Sequence, residues 1–544
     1  MQKLVLFLLL GFFLFSCQEK TPQSEQITYP ERPNIVWIVV EDMSPEHLET
    51  YGGTGGKTPN LNALAAESLQ YQNAFSTAGV CAPSRAALIT GAYQTSIGAH
   101  HMRTTGMSAN ALDAYTPGFK SYNVVLPEGM IPYPIHLRMA GYYVSNNVKE
   151  DYQFESPVFM WDESSRNAHW RNRKDPDQPF FSIFNFTTTH ESQVWAREGK
   201  DSLLVDPKDV TVPPVYPDDS LTRRTIARFI TNVMRMDAQV GEVIAQLKED
   251  GLYDNTIIFF YSDHGDGMPY FKRELYDRGL KVPLLVKAPW LEGGTKTDEL
   301  VSFVDFGPTL LSLAGIPIPA SMQGKAFLGE QKAEPRKYIY AARDRMDSEY
   351  DRVRAVSDGR FKYIRNYMPE KPNYQNIQYR LQNPLMGHLL DLNEKGQLNE
   401  NQARWFAPTK PEEELYDTQS DPWEFNNLVG NPEYADILEE LRKAHEDWIE
   451  KYGDKGALNE MEMVKAMWNG GENPPVTESA EVSFAEGMVT LSCSTPSALI
   501  SWRKSSSESW KIYTEPFEAV AGDSLYVNSH RIGFEASETA IVLD

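Results

Sequence analysis

Two unbroken apolar runs constrain the fold more than anything else in the chain. Asn34-Ile35-Val36-Trp37-Ile38-Val39-Val40 and Thr256-Ile257-Ile258-Phe259-Phe260-Tyr261 are rich in β-branched and aromatic residues and do not alternate with polar ones. Each reads as a central parallel strand buried on both faces. Both end in acids, the first in Glu41-Asp42 and the second in Ser262-Asp263-His264-Gly265. Open α/β sheets place ligands at the carboxyl ends of their strands. The two ends are therefore expected to converge on one divalent cation, Ca²⁺ or Mg²⁺, with the imidazole as a nitrogen donor or as an outer partner. Between them Ile226, Phe229, Ile230, Val233, Met236, Val240, Val243, Ile244 and Leu247 recur at helical spacing. This pattern predicts a helix from about Thr222 to Asp250 whose methionines are core.

A third stretch has a different character. In Cys81-Ala82-Pro83-Ser84-Arg85-Ala86-Ala87-Leu88-Ile89-Thr90-Gly91 a cysteine opens what reads as the first turn of a helix. Proline suits that turn, where its missing N–H costs nothing, and Arg85 lies one helical turn beyond Cys81 on the same face. Free backbone N–H groups, the positive end of the helix dipole and a forked guanidinium make an anion site, and a sulfate- or phosphate-like oxyanion is the natural guest. The anion loop of a cysteine phosphatase needs C-x5-R, so the shorter spacing here excludes it. Gly52-Gly53-Thr54-Gly55-Gly56-Lys57-Thr58 has the look of a nucleotide phosphate loop, yet Tyr51 stands where that spacing requires glycine.

The 544 residues, 41% of them hydrophobic, are too many for one typical domain and predict two or three. With 52 Lys and Arg against 75 Asp and Glu, the net charge of −23 argues against broad nucleic-acid or anionic-membrane binding. An anionic substrate then needs a local basic pocket. Cys17, Cys81 and Cys493 are too scattered for a disulfide framework or a zinc site. The apolar run Leu4 to Phe15 fits an export signal, and Leu14-Phe15-Ser16-Cys17 resembles a bacterial lipobox, with the polar stretch Gln18 to Gln26 as a tether. This predicts an exported lipoprotein of the bacterial cell envelope, membrane-attached through Cys17.

Cys81-x-Pro83-Ser84-Arg85 followed by Thr90-Gly91 resembles the signature of the type I sulfatases, C-x-P-S-R-x-x-x-x-T-G, whose cysteine is oxidised to formylglycine. The surrounding order agrees, with paired acids before the signature and Ser262-Asp263-His264-Gly265 after it. Leu280 to Val286, Val304 to Leu310, Glu414-Leu415-Tyr416-Asp417 and Asp421-Pro422 then follow. The likeness spans roughly residues 30 to 455. It implies an α/β fold, an alkaline-phosphatase-like sandwich around a large mostly parallel sheet with a smaller α+β subdomain. It also implies a formylglycine-generating or anaerobic sulfatase-maturating enzyme as partner and a sulfated oligosaccharide or polysaccharide as substrate.

Carried over residue by residue, the resemblance assigns Glu41, Asp42, Asp263, His264 and the oxidised Cys81 to a Ca²⁺ site. It gives Arg85 to the formylglycine, Lys149 and Lys272 to sulfate oxygens with Arg273 as the neighbouring alternative, and His190 to the leaving oxygen. Two departures stand out. Glu41 replaces the usual first aspartate, and Asp151 stands where many members have histidine after the lysine, in a position to orient Lys149 or accept a substrate hydroxyl. The chemistry implied is attack by one hydroxyl of an aldehyde hydrate, the other later expelling sulfate.

Asp263-His264-Gly265-Asp266-Gly267-Met268-Pro269, leading to Lys272 and Leu275-Tyr276, is similar to heparan N-sulfatase, so an N- or O-sulfated aminosugar of glycosaminoglycan type is the leading substrate. His101 and Arg103, just beyond the signature, are specificity candidates, Arg103 for a second sulfate or a uronate. Alternating strands from Ala480 to Val527 predict a small appended β-sandwich like that of chitobiase-type hexosaminidases. The expected units are 1–17 signal, 18–29 tether, 30–335 catalytic domain, 336–465 C-terminal subdomain, 466–475 linker and 476–544 β-sandwich. Two other readings compete, a phosphoric-ester hydrolase of the same fold and a lipid-anchored glycan-binding protein without catalysis.

Overall fold

The computed structural model describes residues 29–105, 115 and 118–544. The export run, Cys17 and the polar tether lie outside the described residues. Eight strands form the central sheet: β1 (Asn34–Val40), β2 (Leu69–Phe75), β3 (Tyr143–Asn147), β4 (Glu163–Ser164), β5 (Phe180–Phe186), β6 (Thr256–Ser262), β7 (Lys281–Lys287) and β8 (Thr295–Ser302). Their order is β4-β3-β5-β1-β6-β7-β2-β8. All pairings are parallel except those of β7, which runs antiparallel to both β6 and β2. The first apolar run is β1, central between β5 and β6 as its composition demands.

Alternate residues of β1 serve different cores. Ile35, Trp37 and Val39 face one layer with Ile257, Phe259 and Tyr261, while Val36, Ile38 and Val40 face the other with Ile258 and Phe260. Trp37 is fully buried and meets Tyr133, Phe181, Phe259, Tyr261 and Phe306 at ring-centroid distances of 5.1–5.7 Å. The second layer is closed by the helix Ser220–Glu249, capped at its start by the Asp219 side chain.

Register decides where function can sit. Val40 pairs with Phe186 on one side and with Ser262 on the other, so β1, β5 and β6 end level with one another. The residues that follow them, Glu41-Asp42, Thr187 to Glu191 and Asp263-His264, therefore emerge at one edge. Lys149 follows β3 at the same edge, since Asn147 pairs with Phe184.

A second, antiparallel sheet is formed by Ile339–Arg343, Val353–Ser357, Phe361–Asn366 and Glu413–Asp417, against which the helix Ala435–Tyr452 packs. The last residues form sheets of three and four strands with a shared core, a small β-sandwich. Trp502 stacks on Phe517 inside that core at 3.6 Å between centroids. Arg531 donates to the Leu126 carbonyl and Arg138 to that of Trp510, joining the sandwich to the unit built on the central sheet.

Candidate active site

Cys81 is the first residue of the helix Cys81–Thr90, every residue of which is buried. Close approach fixes its entry. Arg273 N–H donates to the Gly79 carbonyl, and a Cβ on Gly79 would lie 2.4 Å from the Glu274 carbonyl oxygen, so only glycine lets the chain pass. One turn into the helix, Ser84 Oγ donates to the Asp263 carbonyl at 2.6 Å, tying the helix to the end of β6.

The acids meet as the register requires. Asp42 N–H donates to Asp263 Oδ1 at 3.2 Å, and Asp263 N–H to the Val40 carbonyl at 3.0 Å. Asp42 turns with a left-handed φ of 57°, and a Cβ on Gly267 would fall 2.6 Å from the Asp42 Cβ. Glu41, Asp42, Asp263 and His264 are all at most 1% exposed. Burial of that many carboxylates is tolerated only with cations beside them.

Those cations are Arg85, Lys149 and Lys272. Arg85 donates from Nε to Asp263 at 3.1 Å and from its terminal nitrogens to Glu41 at 3.3 Å and Asn185 at 2.8 Å. Lys149 pairs with Glu41 and lies 3.9 Å from Asp151. Lys272 spans both Asp42 oxygens at 2.8 and 2.6 Å and reaches Glu191 at 3.1 Å. Burial works against the charge on both lysines, but Cys81 and Glu41 for Lys149, and Asp42 and Glu191 for Lys272, hold them above the ordinary lysine range. Burial raises the Cys81 thiol, and the same two lysines overcome it, bringing it down to about 6.

His190 places its imidazole in reach of both Cys81 and Asp42, with Nδ1 2.8 Å from Ser192 Oγ. Burial and Lys272 depress its titration, but Asp42 and Cys81 hold it above the usual histidine range. His264 Nε2 lies 2.9 Å from Asp42, 3.7 Å from Asp263 and 3.8 Å from Cys81 Sγ. Although burial opposes it, Asp263 and Asp42 raise this imidazole to about 10.

Ligand atoms from Cys81, Asp263 and His264 lie within 4.8 Å of one another, as do those from Asp42, Cys81 and His190. Asp42 and Asp263 bring hard carboxylate oxygens to the same point, so the donor set fits Ca²⁺. Glu41 stands beside this group, its Oε1 between Arg85 and Lys149.

The remaining candidates divide. Arg103 lies at the rim, its side chain 44% exposed, and is near enough to feel the charges of Asp151 and Cys81. His101 is not brought to the cluster. It is buried, its Nδ1 accepts from the Arg345 N–H, and its Nε2 lies 3.9 Å from Glu460. Arg273, the alternative to Lys272, is engaged by Glu191 through two bonds of 3.2 and 2.7 Å.

Sequence reasoning missed Glu191, Asn185 and Tyr379. Glu191 donates its backbone N–H to Asp42 at 2.6 Å, and burial, which raises its carboxyl, is overcome by Arg273 and Lys272, which pull it to about 2. Its position next to His190 was the only available signal. Five non-glycine residues in and around the site, Asp42, Arg103, Asp151, Arg273 and Asp347, have φ between 48° and 77°. Such backbone is uncommon and gathers where a site over-determines its own geometry.

A family model described as Sulfatase matches residues 33–316, and one described as N-sulphoglucosamine sulphohydrolase, C-terminal, matches 265–386. An Ulvan-active sulfatase of Formosa agariphila is 44% identical over 95% of this chain and 92% of its own. The human N-sulphoglucosamine sulphohydrolase is 26% identical over 77% of this chain and 92% of its own. Among solved structures, a 2-O GAG sulfatase superposes with a TM-score of 0.56 at 21% identity, covering 79% of this chain and 94% of that one.

Proposed function

The chain belongs to the sulfatase family, and we propose that it hydrolyses sulfate from a sulfated polysaccharide, with Cys81 matured to formylglycine and Ca²⁺ bound beside it. The observation that carries this reading is a cysteine at a buried helix start, surrounded by Arg85, Lys149, Lys272 and His190. The relative named as ulvan-active supports a sulfated polysaccharide of the ulvan kind as the first substrate to test, with N-sulfated glucosamine as the second.

An aldehyde at position 81 supplies, when hydrated, two hydroxyls on one carbon, one to attack sulfur and one to drive sulfate off. Asp42, Asp263 and His264, with Glu41 alongside, would hold Ca²⁺, which would supply Lewis acidity there. The chain's own residues do the rest. Arg85, fixed by three hydrogen-bonded partners, cannot swing away and favours an anionic oxygen at position 81. Lys149 and Lys272 remain protonated and take the sulfuryl oxygens. His190, whose titration Asp42 and Cys81 raise against burial and Lys272, is the group placed to hand a proton to the departing oxygen. The lipobox-like Leu14-Phe15-Ser16-Cys17 supports export and attachment to the bacterial envelope.

A panel of defined sulfated oligosaccharides, including ulvan fragments and N-sulfated ends, tests the reading by ion chromatography of released sulfate. Release from at least one class is expected; no sulfate release from any member, together with phosphate release from the corresponding sugar phosphates, would replace the reading with the phosphoric-ester one. His190→Ala is expected to lower turnover of sugar sulfates by roughly 10²- to 10⁴-fold. The loss should shrink on an aryl sulfate, whose phenolate departs without a proton. Equal losses on both substrates would remove His190 from the proton-donor role.

A further inference from the structure

Beside His190, on the exposed side of the Cys81 cluster, lies a group of residues that the steps above do not use. Arg103 Nε contacts Asp347 at 2.7 Å, and its guanidinium carbon stands 5.3 Å from the centre of the Tyr379 ring. Among the described residues it pairs with no carboxylate other than Asp347. The Tyr379 ring in turn lies 6.3 Å from the imidazole of His190 and 5.6 Å from Trp195, which meets it edge-on. Arg103 and His190 thus share one aromatic wall. Both Arg103 and Asp347 hold left-handed backbone, at φ 58° and 48°. An ordinary surface ion pair is worth little and gives no reason for two such conformations to meet beside the cluster.

We propose that Arg103, braced by Asp347 and Tyr379, forms a second anion subsite that selects a carboxylate or a further sulfate on the departing saccharide. The inference rests on the sulfatase reading, which puts His190 at the leaving oxygen. Because Arg103 shares a wall with His190, an anion held by Arg103 belongs to the part of the substrate that leaves. The guanidinium fork matches both carboxylate and sulfate. In a chain of net charge −23, a polyanion needs such a local cation to approach at all.

The test compares three saccharides with the same scissile sulfate, one otherwise neutral, one carrying a carboxylate and one a second sulfate. For Arg103→Ala, the wild-type preference for the doubly anionic members, as a ratio of kcat/KM, is expected to fall by about 10- to 100-fold, mainly through KM. Arg103→Lys should restore more of the preference for a second sulfate than for a planar carboxylate. An undiminished preference, or an equal loss on all three saccharides, would overturn the subsite. Calorimetric binding to Cys81→Ala protein, with and without Arg103→Ala, reads the subsite independently of turnover. If the wild type released sulfate from none of the three, the sulfatase reading would fail. The subsite would still stand on selective loss of affinity for the doubly anionic saccharides, and fall without it.

Discussion

Cys81→Ala is expected to reduce sulfate release by at least about 10⁴-fold, the scale set by removing the nucleophile from a preassembled site. Folding should be little disturbed. Alanine is the best helix former, and Lys149 and Lys272 keep their partners Glu41, Asp42 and Glu191, so the stability change should stay within about 1 kcal/mol. Urea denaturation beside sulfate chromatography separates the two effects. Mass spectrometry of the peptide bearing position 81 supplies the chemical half of the test, because maturation exchanges sulfur for oxygen and removes two hydrogens. Wild-type protein made without a maturation enzyme should carry the intact thiol and match the alanine variant in inactivity. If that unmodified protein hydrolysed phosphate esters instead, the phosphoric-ester reading would be the better one. Sulfate release surviving in Cys81→Ala would remove position 81 from the reaction.

Why this cluster was readable from the chain, and the rim was not, follows from how each is built. β1 and β6 announced themselves because a strand buried on both faces has no room for polar residues, and the acids at their ends needed only the parallel register of Val40 with Ser262 to meet. The Cys81 helix was legible because proline, arginine and the closing Gly91 act locally. Other features depend on distant chain. Whether β7 runs parallel or antiparallel leaves no trace in its own seven residues. His101 was a reasonable specificity candidate by position, but Arg345 and Glu460, more than 240 residues away, draw it into the interior. Glu191 looks like an ordinary loop acid until Arg273, Lys272 and the backbone turn at Asp42 close around it. Tyr379 and Asp347 reach the rim from beyond the start of the second sheet, and no spacing rule relates them to Arg103.

The largest structural penalty is expected at Asp42. Its two oxygens receive both contacts from Lys272, the His264 imidazole and the Glu191 N–H, all in the interior. Asp42→Asn keeps the shape, removes the charge and turns one acceptor into a donor facing donors. Lys272, 2% exposed, is then left with Glu191 alone, already shared with Arg273. Breaking a buried pair on one side costs about 3–5 kcal/mol, and Glu191 should hold the loss to about 3 kcal/mol. The pH dependence carries a sign. Burial raises the Asp42 carboxyl, but Lys272, His190 and His264 together lower it well below its unfolded value. Its contribution is therefore fully present above the unfolded carboxylate range and lost as pH falls through the lower folded value. The gap in stability between wild type and Asp42→Asn, measured in urea, should accordingly be widest near neutrality and narrow in acid. Sulfate release should drop by at least about 10³-fold, because Lys272 and the cation site both lose the same carboxylate. A calcium titration of the variant should show binding weakened in parallel. Full stability and undiminished calcium binding in Asp42→Asn would mean that Glu41 and Asp263 alone hold the centre together, and the level ending of β1 and β6 would not be what assembles the site.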